Sequence, residues 1–164
     1  MRIAGIEKQS IVDGPGFRYT IFTQGCPHCC PDCHNQATWD PLGGSEMTVR
    51  QLLEDIEKAY YIDGITLSGG DPFAQPEEVL ELVRALKEQD RHIIAYTGYT
   101  FEQLLEDPAK AKILSYLDVV IDGLYLKDQR SLALRFRGSK NQRVIDVGAS
   151  LQQHTIILIN WEEE

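Results

Sequence analysis

Cysteine occurs at positions 26, 29, 30 and 33 of this 164-residue chain and nowhere else. Four thiols in one short stretch, "GCPHCCPDCHN", can cross-link, bind metal or pass electrons. Cross-linking is the poorest use of them, because a disulfide stabilises by closing a loop and these would close almost nothing. In a reducing compartment, clustered thiols point instead to a metal or redox site. Two ligand sets stand open. Paired as Cys26/Cys29 and Cys30/Cys33 they would form a Cys₄ zinc site. Such sites usually draw on two separated knuckles, and the neighbours Cys29 and Cys30 leave the backbone in different directions. Taken as Cys26-x₃-Cys30-x₂-Cys33, three thiolates would hold three irons of a [4Fe–4S] cluster. The fourth iron is then open to a small chelating molecule, and Cys29 is the spare.

A second candidate is "SGGDP" at 68–72. Gly69 and Gly70 lack a Cβ and let backbone approach a ligand, while Asp71 could add a charge-assisted hydrogen bond. The plainer reading is a turn between strand and helix. His28, inside the cysteine loop, is expected to face solvent. His34 and Asn35 lie close enough to reach a cluster sulfur, with loop packing as the alternative. His92 and His154 border strands and need no special role. Tyr96, Thr97 and Tyr99 sit at a strand end and could meet a ligand or simply finish the core. Asp122–Gly123 and "DGPG" at 13–16 read first as turns. The stretch 127–143 sets Lys127, Arg130, Arg135, Arg137, Lys140 and Arg143 against Asp128 alone, either a docking face, a contact to an anionic ligand, or a solvated loop. The terminal "WEEE" reads as an exposed tail.

These residues need elements to hold them. Apolar or β-branched runs at 18–24, 64–68, 92–97, 117–122, 143–147 and 155–159 predict strands. Val49, Leu52, Leu53, Ile56 and Ala59 make one helical stripe, opened by a Thr48/Gln51 capping box. A second helix starts at Pro76 and buries Val79, Leu82, Val83 and Leu86. A third starts at Thr100 with Gln103, and Asp107–Pro108 restarts it toward Ile113 and Leu114. Strands alternating with helices imply an α/β fold of mainly parallel strands, with residues 1–164 as a single domain. The cysteine loop, "SGGDP", "TGYT" and "DGLY" each follow a strand's C-terminal end, where parallel α/β folds gather ligands. There are too few units for eight strands, so an open or partial (βα) barrel is expected, with a flat doubly wound sheet as the alternative.

Composition narrows the class. Hydrophobic content is 43% and charged content 25%, as in soluble globular chains. A net charge of −9 argues against nucleic acid as a partner. The apolar runs are too short for a membrane span, and "MRIAGIEKQS" is unlike a signal peptide, so a cytoplasmic location is expected.

"DGPGFR", "GCPHCCPDCHN", "LSGGDP", "YTGYT", "DVVIDG" and "RGSKNQRVIDV" appear in that order along the chain. Together they resemble the anaerobic ribonucleoside-triphosphate reductase-activating proteins, short glycyl-radical-enzyme activases among the radical S-adenosylmethionine (SAM) enzymes. The resemblance implies a radical SAM-type fold and a [4Fe–4S] cluster on Cys26, Cys30 and Cys33. It implies that SAM is chelated at the open iron, lined by the backbone of Asp32, Cys33 and His34, and met by Gly69, Gly70 and Asp71. It further implies reductive SAM cleavage, then hydrogen abstraction from a glycine of the reductase large subunit, with a one-electron donor such as flavodoxin. No acid–base side chain is required. The rivals are a radical SAM enzyme on a small molecule, of the deazapurine-synthase type, and a zinc-stabilised binding module without catalysis.

Overall fold

The computed structural model describes residues 1–31, 33 and 36–162. Its strands are β1 (Arg2–Ser10), β2 (Arg18–Thr23), β3 (Ser45–Glu46), β4 (Gly64–Gly69), β5 (Ile93–Tyr96), β6 (Val119–Asp122) and β7 (Arg143–Asp146). They form one seven-stranded sheet in the order β3-β1-β2-β4-β5-β6-β7. The central block β2-β4-β5-β6 is parallel throughout. β1 and β7 run against it.

The sheet's two faces differ in what covers them. From one face Tyr19, Ile21, Ile65, Leu67, Ile93, Ala95, Val120 and Ile145 enter a single apolar core. That core takes in side chains of α1 (Val49–Glu57), α2 (Pro76–Glu88), α3 (Phe101–Glu106), α4 (Pro108–Leu114) and α5 (Val147–Gln153). The alternate residues Ile94, Val119, Ile121 and Val144 form a second, smaller cluster on the other face, closed by Tyr96, Ile159 and Trp161 rather than by a helix. A doubly wound sheet carries helices on both faces. This one carries them on one, leaving the other free for loops.

The helices follow their local signals. Thr48 and Gln51 form the capping box of α1, and Thr100 and Gln103 that of α3. Asp107 ends α3 and caps α4 through the amides of Ala109 and Lys110. Val79, Leu82, Val83 and Leu86 of α2 are fully buried, each stabilising by about 1.5–3 kcal/mol relative to exposure.

The strands add to or depart from the sequence reading in three places. β1 has no counterpart among the predicted strands, because most of its residues are solvent-accessible and it shows little apolar pattern. β7 is antiparallel: residues 123–142 stay at the end of the sheet where β6 finishes, so the chain re-enters from that side. Residues 155–159 make only an isolated bridge, Leu158 to Ile145. The tail is also less free than expected, since Trp161 packs edge-on against Phe136 at 5.4 Å and Glu162 pairs with Arg137 at 3.3 Å. Glu163 and Glu164 lie outside the described residues. Among those described, no helix is long and apolar enough to cross a membrane.

Candidate iron–sulfur site

The four predicted segments do converge. A cavity of about 520 Å³ opens beyond the C-terminal ends of the parallel strands, within the roughly 300–1,000 Å³ usual for small-molecule sites. Cys26, His28, Cys30 and Cys33 from the loop after β2 line it, with Ser68, Gly69 and Gly70 from β4 and its end. Tyr96, Thr97 and Gly98 continue the wall from β5, and Gly123 and Tyr125 from β6. Two further segments, Val12–Asp13 and Phe136–Gly138 with Gln142, complete it. Their signals in the sequence are the motifs "DGPGFR" and "RGSKNQRVIDV" and the basic stretch that holds Arg137.

The cysteine loop has little regular structure and is held from outside. Gly25 donates to Thr38 O at 2.6 Å, and Cys26 to Trp39 O at 3.3 Å. The "SGGDP" segment clamps it from the other side: Gly70 donates to Thr23 O at 2.8 Å and Asp71 to Gly25 O at 2.9 Å. A Cβ on Gly70 would stand 2.3 Å from the Gly25 carbonyl oxygen, and one on Gly69, whose φ is +93°, would stand 2.4 Å from Thr23 N. Both glycines line the cavity. Their missing side chains, however, make room for β2 and the cysteine loop.

The thiols sort themselves by position. Cys26, Cys30 and Cys33 are half-buried on the cavity wall. Cys29 is exposed, with a φ of +49°, and is not part of that wall. Burial pushes the Cys26 and Cys30 thiols up. Against it, the backbone amides of His28 and Cys29 point at the Cys26 sulfur and that of Tyr125 at the Cys30 sulfur, each favouring the thiolate. Amides aimed at sulfur suit an iron–sulfur cluster, whose potential they tune. Among the described residues no three His, Cys, Asp or Glu side chains gather as ligands of a single metal ion. A cubane asks for a different arrangement, one thiolate to each of three irons.

Asp71 stands behind the wall. Its carboxylate is fully buried and accepts from Phe73 N at 3.0 Å, Thr97 Oγ1 at 2.9 Å, Gly98 N at 3.0 Å and His28 Nε2 at 2.6 Å. What it offers the cavity it offers through His28. The expectation that His28 faces solvent is overturned. Its side chain is 12% exposed and meets the Tyr99 ring edge-on at 4.5 Å. The partner lies 43 residues away, so nothing local announced it. Of the predicted SAM-lining residues, Cys33, Gly69 and Gly70 line the cavity, whereas Asp32 and His34, like Asn35, lie outside the described residues.

Asp122 is also more than a turn. Fully buried, it binds Arg143 Nη2 at 2.5 Å and caps α3 through Phe101 N at 2.8 Å. Arg143 reaches on to Glu102 at 2.7 Å. Arg137 is anchored by Glu162 and by the carbonyls of Lys140 and Gln142, and Arg135 donates to Trp161 O. Much of the basic stretch therefore stitches the cavity's far wall together instead of forming a free face. Tyr96, pushed well up by burial, donates to Phe136 O and fixes that wall to β5.

The family described as "4Fe-4S single cluster domain" matches residues 12–145. A protein of Vibrio cholerae named anaerobic ribonucleoside-triphosphate reductase-activating protein is 40% identical over 142 residues, covering 80% of this chain and 89% of that one. Its namesake in Enterobacteria phage T4 is 40% identical over 140 residues, covering 81% and 86%. That of Escherichia coli K12 is 34% identical over 142 residues, covering 82% and 91%. With the cysteine trio on one wall and similarity across most of its length, the chain belongs to the family of anaerobic ribonucleoside-triphosphate reductase-activating proteins and carries a 4Fe–4S single-cluster domain.

Proposed function

We propose that the chain is a radical SAM activase of the anaerobic ribonucleoside-triphosphate reductase, acting in the cytoplasm as one partial-barrel domain over residues 1–164. The observation that carries this reading is the separation of Cys26, Cys30 and Cys33, on the cavity wall beside Gly69 and Gly70, from the exposed Cys29. Three ligands on a four-iron cluster leave one iron for a substrate. When bound, the cluster would supply the one electron for reductive cleavage of SAM, the chemistry that would allow a hydrogen atom to be taken from a glycine Cα of the reductase large subunit.

The chain's own residues bind, orient and enclose. Cys26, Cys30 and Cys33 would hold the cluster, and the amides of His28 and Cys29 at the Cys26 sulfur and of Tyr125 at the Cys30 sulfur would offset the charge on those thiolates. The backbone of Gly69 and Gly70 would meet the amino group of SAM, the resemblance assigns Asp32, Cys33 and His34 to the lining of the same pocket, and Asp71 supports this wall from behind. Tyr96, Thr97 and Phe136 bound the space in which the nucleoside would lie and keep water from it. The electron comes from a one-electron donor of the flavodoxin type.

The test is anaerobic purification followed by iron, sulfide and zinc analysis, SAM cleavage under dithionite, and an electron paramagnetic resonance assay for a glycyl radical on the reductase. Cys29→Ser should keep the cluster and the cleavage, whereas Ser at 26, 30 or 33 should lose both. A colourless protein with stoichiometric zinc, or a cluster lost with Cys29→Ser, would sink this reading.

A further inference from the structure

His28 takes no part in the ligand set, yet the fold makes room for it from two strand ends. The end of β4 supplies the Asp71 carboxylate at 2.6 Å, and the loop after β5 supplies the edge-on Tyr99 ring at 4.5 Å. That same loop leaves a gap at Gly98, where a Cβ would lie 2.5 Å from His28 Cδ2. A carboxylate only accepts, so the imidazole donates from Nε2. Asp71 is in turn fixed by Thr97 Oγ1 and by the amides of Gly98 and Phe73. Asp71 is therefore a fixed post to which the imidazole is tied.

What the anchor holds is the backbone at 28–29, whose amides point at the Cys26 sulfur. We propose that His28, pinned by Asp71 across the ends of β4 and β5, is a positioning residue that aims these amides at the Cys26 sulfur and so governs how tightly the cluster is held and how easily it is reduced. The inference rests on Cys26, Cys30 and Cys33 being the cluster ligands and not on the fate of SAM. An N–H aimed at a cluster sulfur stabilises the more negative, reduced state. Releasing the tether lets the amides swing away, so the potential becomes more negative and the cluster more labile. Partners one step beyond the ligands typically change metal affinity by about 10–100-fold.

The experiment compares His28→Phe, which keeps a ring against Tyr99 but has no donor, with His28→Gln, whose amide can donate toward Asp71. Three readouts are taken: amide hydrogen exchange over residues 26–31 in the metal-free chain, iron loss to a chelator, and the midpoint potential of the reconstituted cluster. His28→Phe should speed exchange across the loop, raise the rate of iron loss roughly tenfold or more, and move the potential negative. His28→Gln should recover most of each change. Asp71→Asn should act in the same direction, and the double variant His28→Phe/Asp71→Asn should be no worse than the more severe single one, because both cut the same link. His28→Phe matching the parent in exchange, iron retention and potential would overturn the proposal. So would a double variant whose effects simply add, or a His28→Gln no better than His28→Phe. If Ser at 26, 30 or 33 keeps a full cluster, the ligand assignment has failed instead. The metal-free exchange comparison still reports on the tether in that event.

Discussion

Gly70–Asp71, just beyond β4, and Asp122–Gly123, closing β6, look like the same device used twice. Each puts a glycine beside a carboxylate no more than 1% exposed at the C-terminal end of a parallel strand. Their partners separate them. Asp71 gathers backbone amides, a hydroxyl and His28, and through His28 it grips the cysteine loop. Asp122 gathers Arg143 and the Phe101 amide, locking β7 and α3 to the sheet. The glycines differ in parallel. The Cβ position of Gly70 is filled by the Gly25 carbonyl at 2.3 Å, whereas that of Gly123 is open, with Asn141 Nδ2 nearest at 3.6 Å. A buried carboxylate at a strand end thus says little about ligands until the segment it binds is known.

The sharpest way to break this comparison is Asp122→Ala. It removes the buried partner of Arg143 and the acceptor of the Phe101 amide, while Glu102 and the Thr100 cap remain. Unfolding of the metal-free chain in urea should therefore lose about 3 kcal/mol, the low end for breaking a buried pair. Iron bound per folded chain should be unchanged. A selective loss of iron would place Asp122 with the site and erase the distinction.

Gly70→Ala should do the reverse in kind. The new Cβ meets backbone, not a flexible side chain, so the cysteine loop must move. A stability cost of about 1–3 kcal/mol should come with iron loss several-fold faster than in the parent. Gly123→Ala is the control. It meets no close atom and pays only for a φ of +97°, about 1–2 kcal/mol. Chelator challenge and urea titration on the two variants decide the matter: equal iron retention in both would remove Gly70 from the clamp.

The same contrast explains what the sequence could and could not reveal. That Cys26, Cys30 and Cys33 stand together on the cavity wall without Cys29 agrees with a spacing that is local and complete within eight residues. The helices were legible for a similar reason: Thr48 with Gln51, Thr100 with Gln103 and the Asp107–Pro108 restart are signals complete within a few residues. Convergence of four loops on one rim followed from parallel topology alone. His28 was misjudged because its burial depends on Asp71 and Tyr99, contributed by two other strand ends. The direction of β7 was not readable because a strand's own residues do not say from which side the chain re-enters. Arg143 looked like part of a basic face until Asp122 and Glu102 closed on it. In each case the missing information was a long-range partner, which no window along the chain contains.

The smallest expected effect tests the outer edge of the Asp122 network. The Arg143 hydrogen bond holds the Glu102 carboxyl below the usual carboxylate range. A carboxyl whose pKa is lower in the folded chain contributes fully above its unfolded value and is lost as pH falls through the folded one. Stability should therefore decline on acidification below the ordinary glutamate range, and Glu102→Gln should flatten that part of the curve. The Glu102 side chain is 57% exposed, so solvent screens the pair and the difference at neutral pH should stay within about 1 kcal/mol. Urea titrations of parent and Glu102→Gln between neutral and acid pH read this slope. Iron retention at neutral pH should match the parent, because Glu102 touches neither the cysteine loop nor Asp71. If Glu102→Gln steepened the acid decline, the ion pair would be opposing the fold, and Arg143 would be held by Asp122 alone.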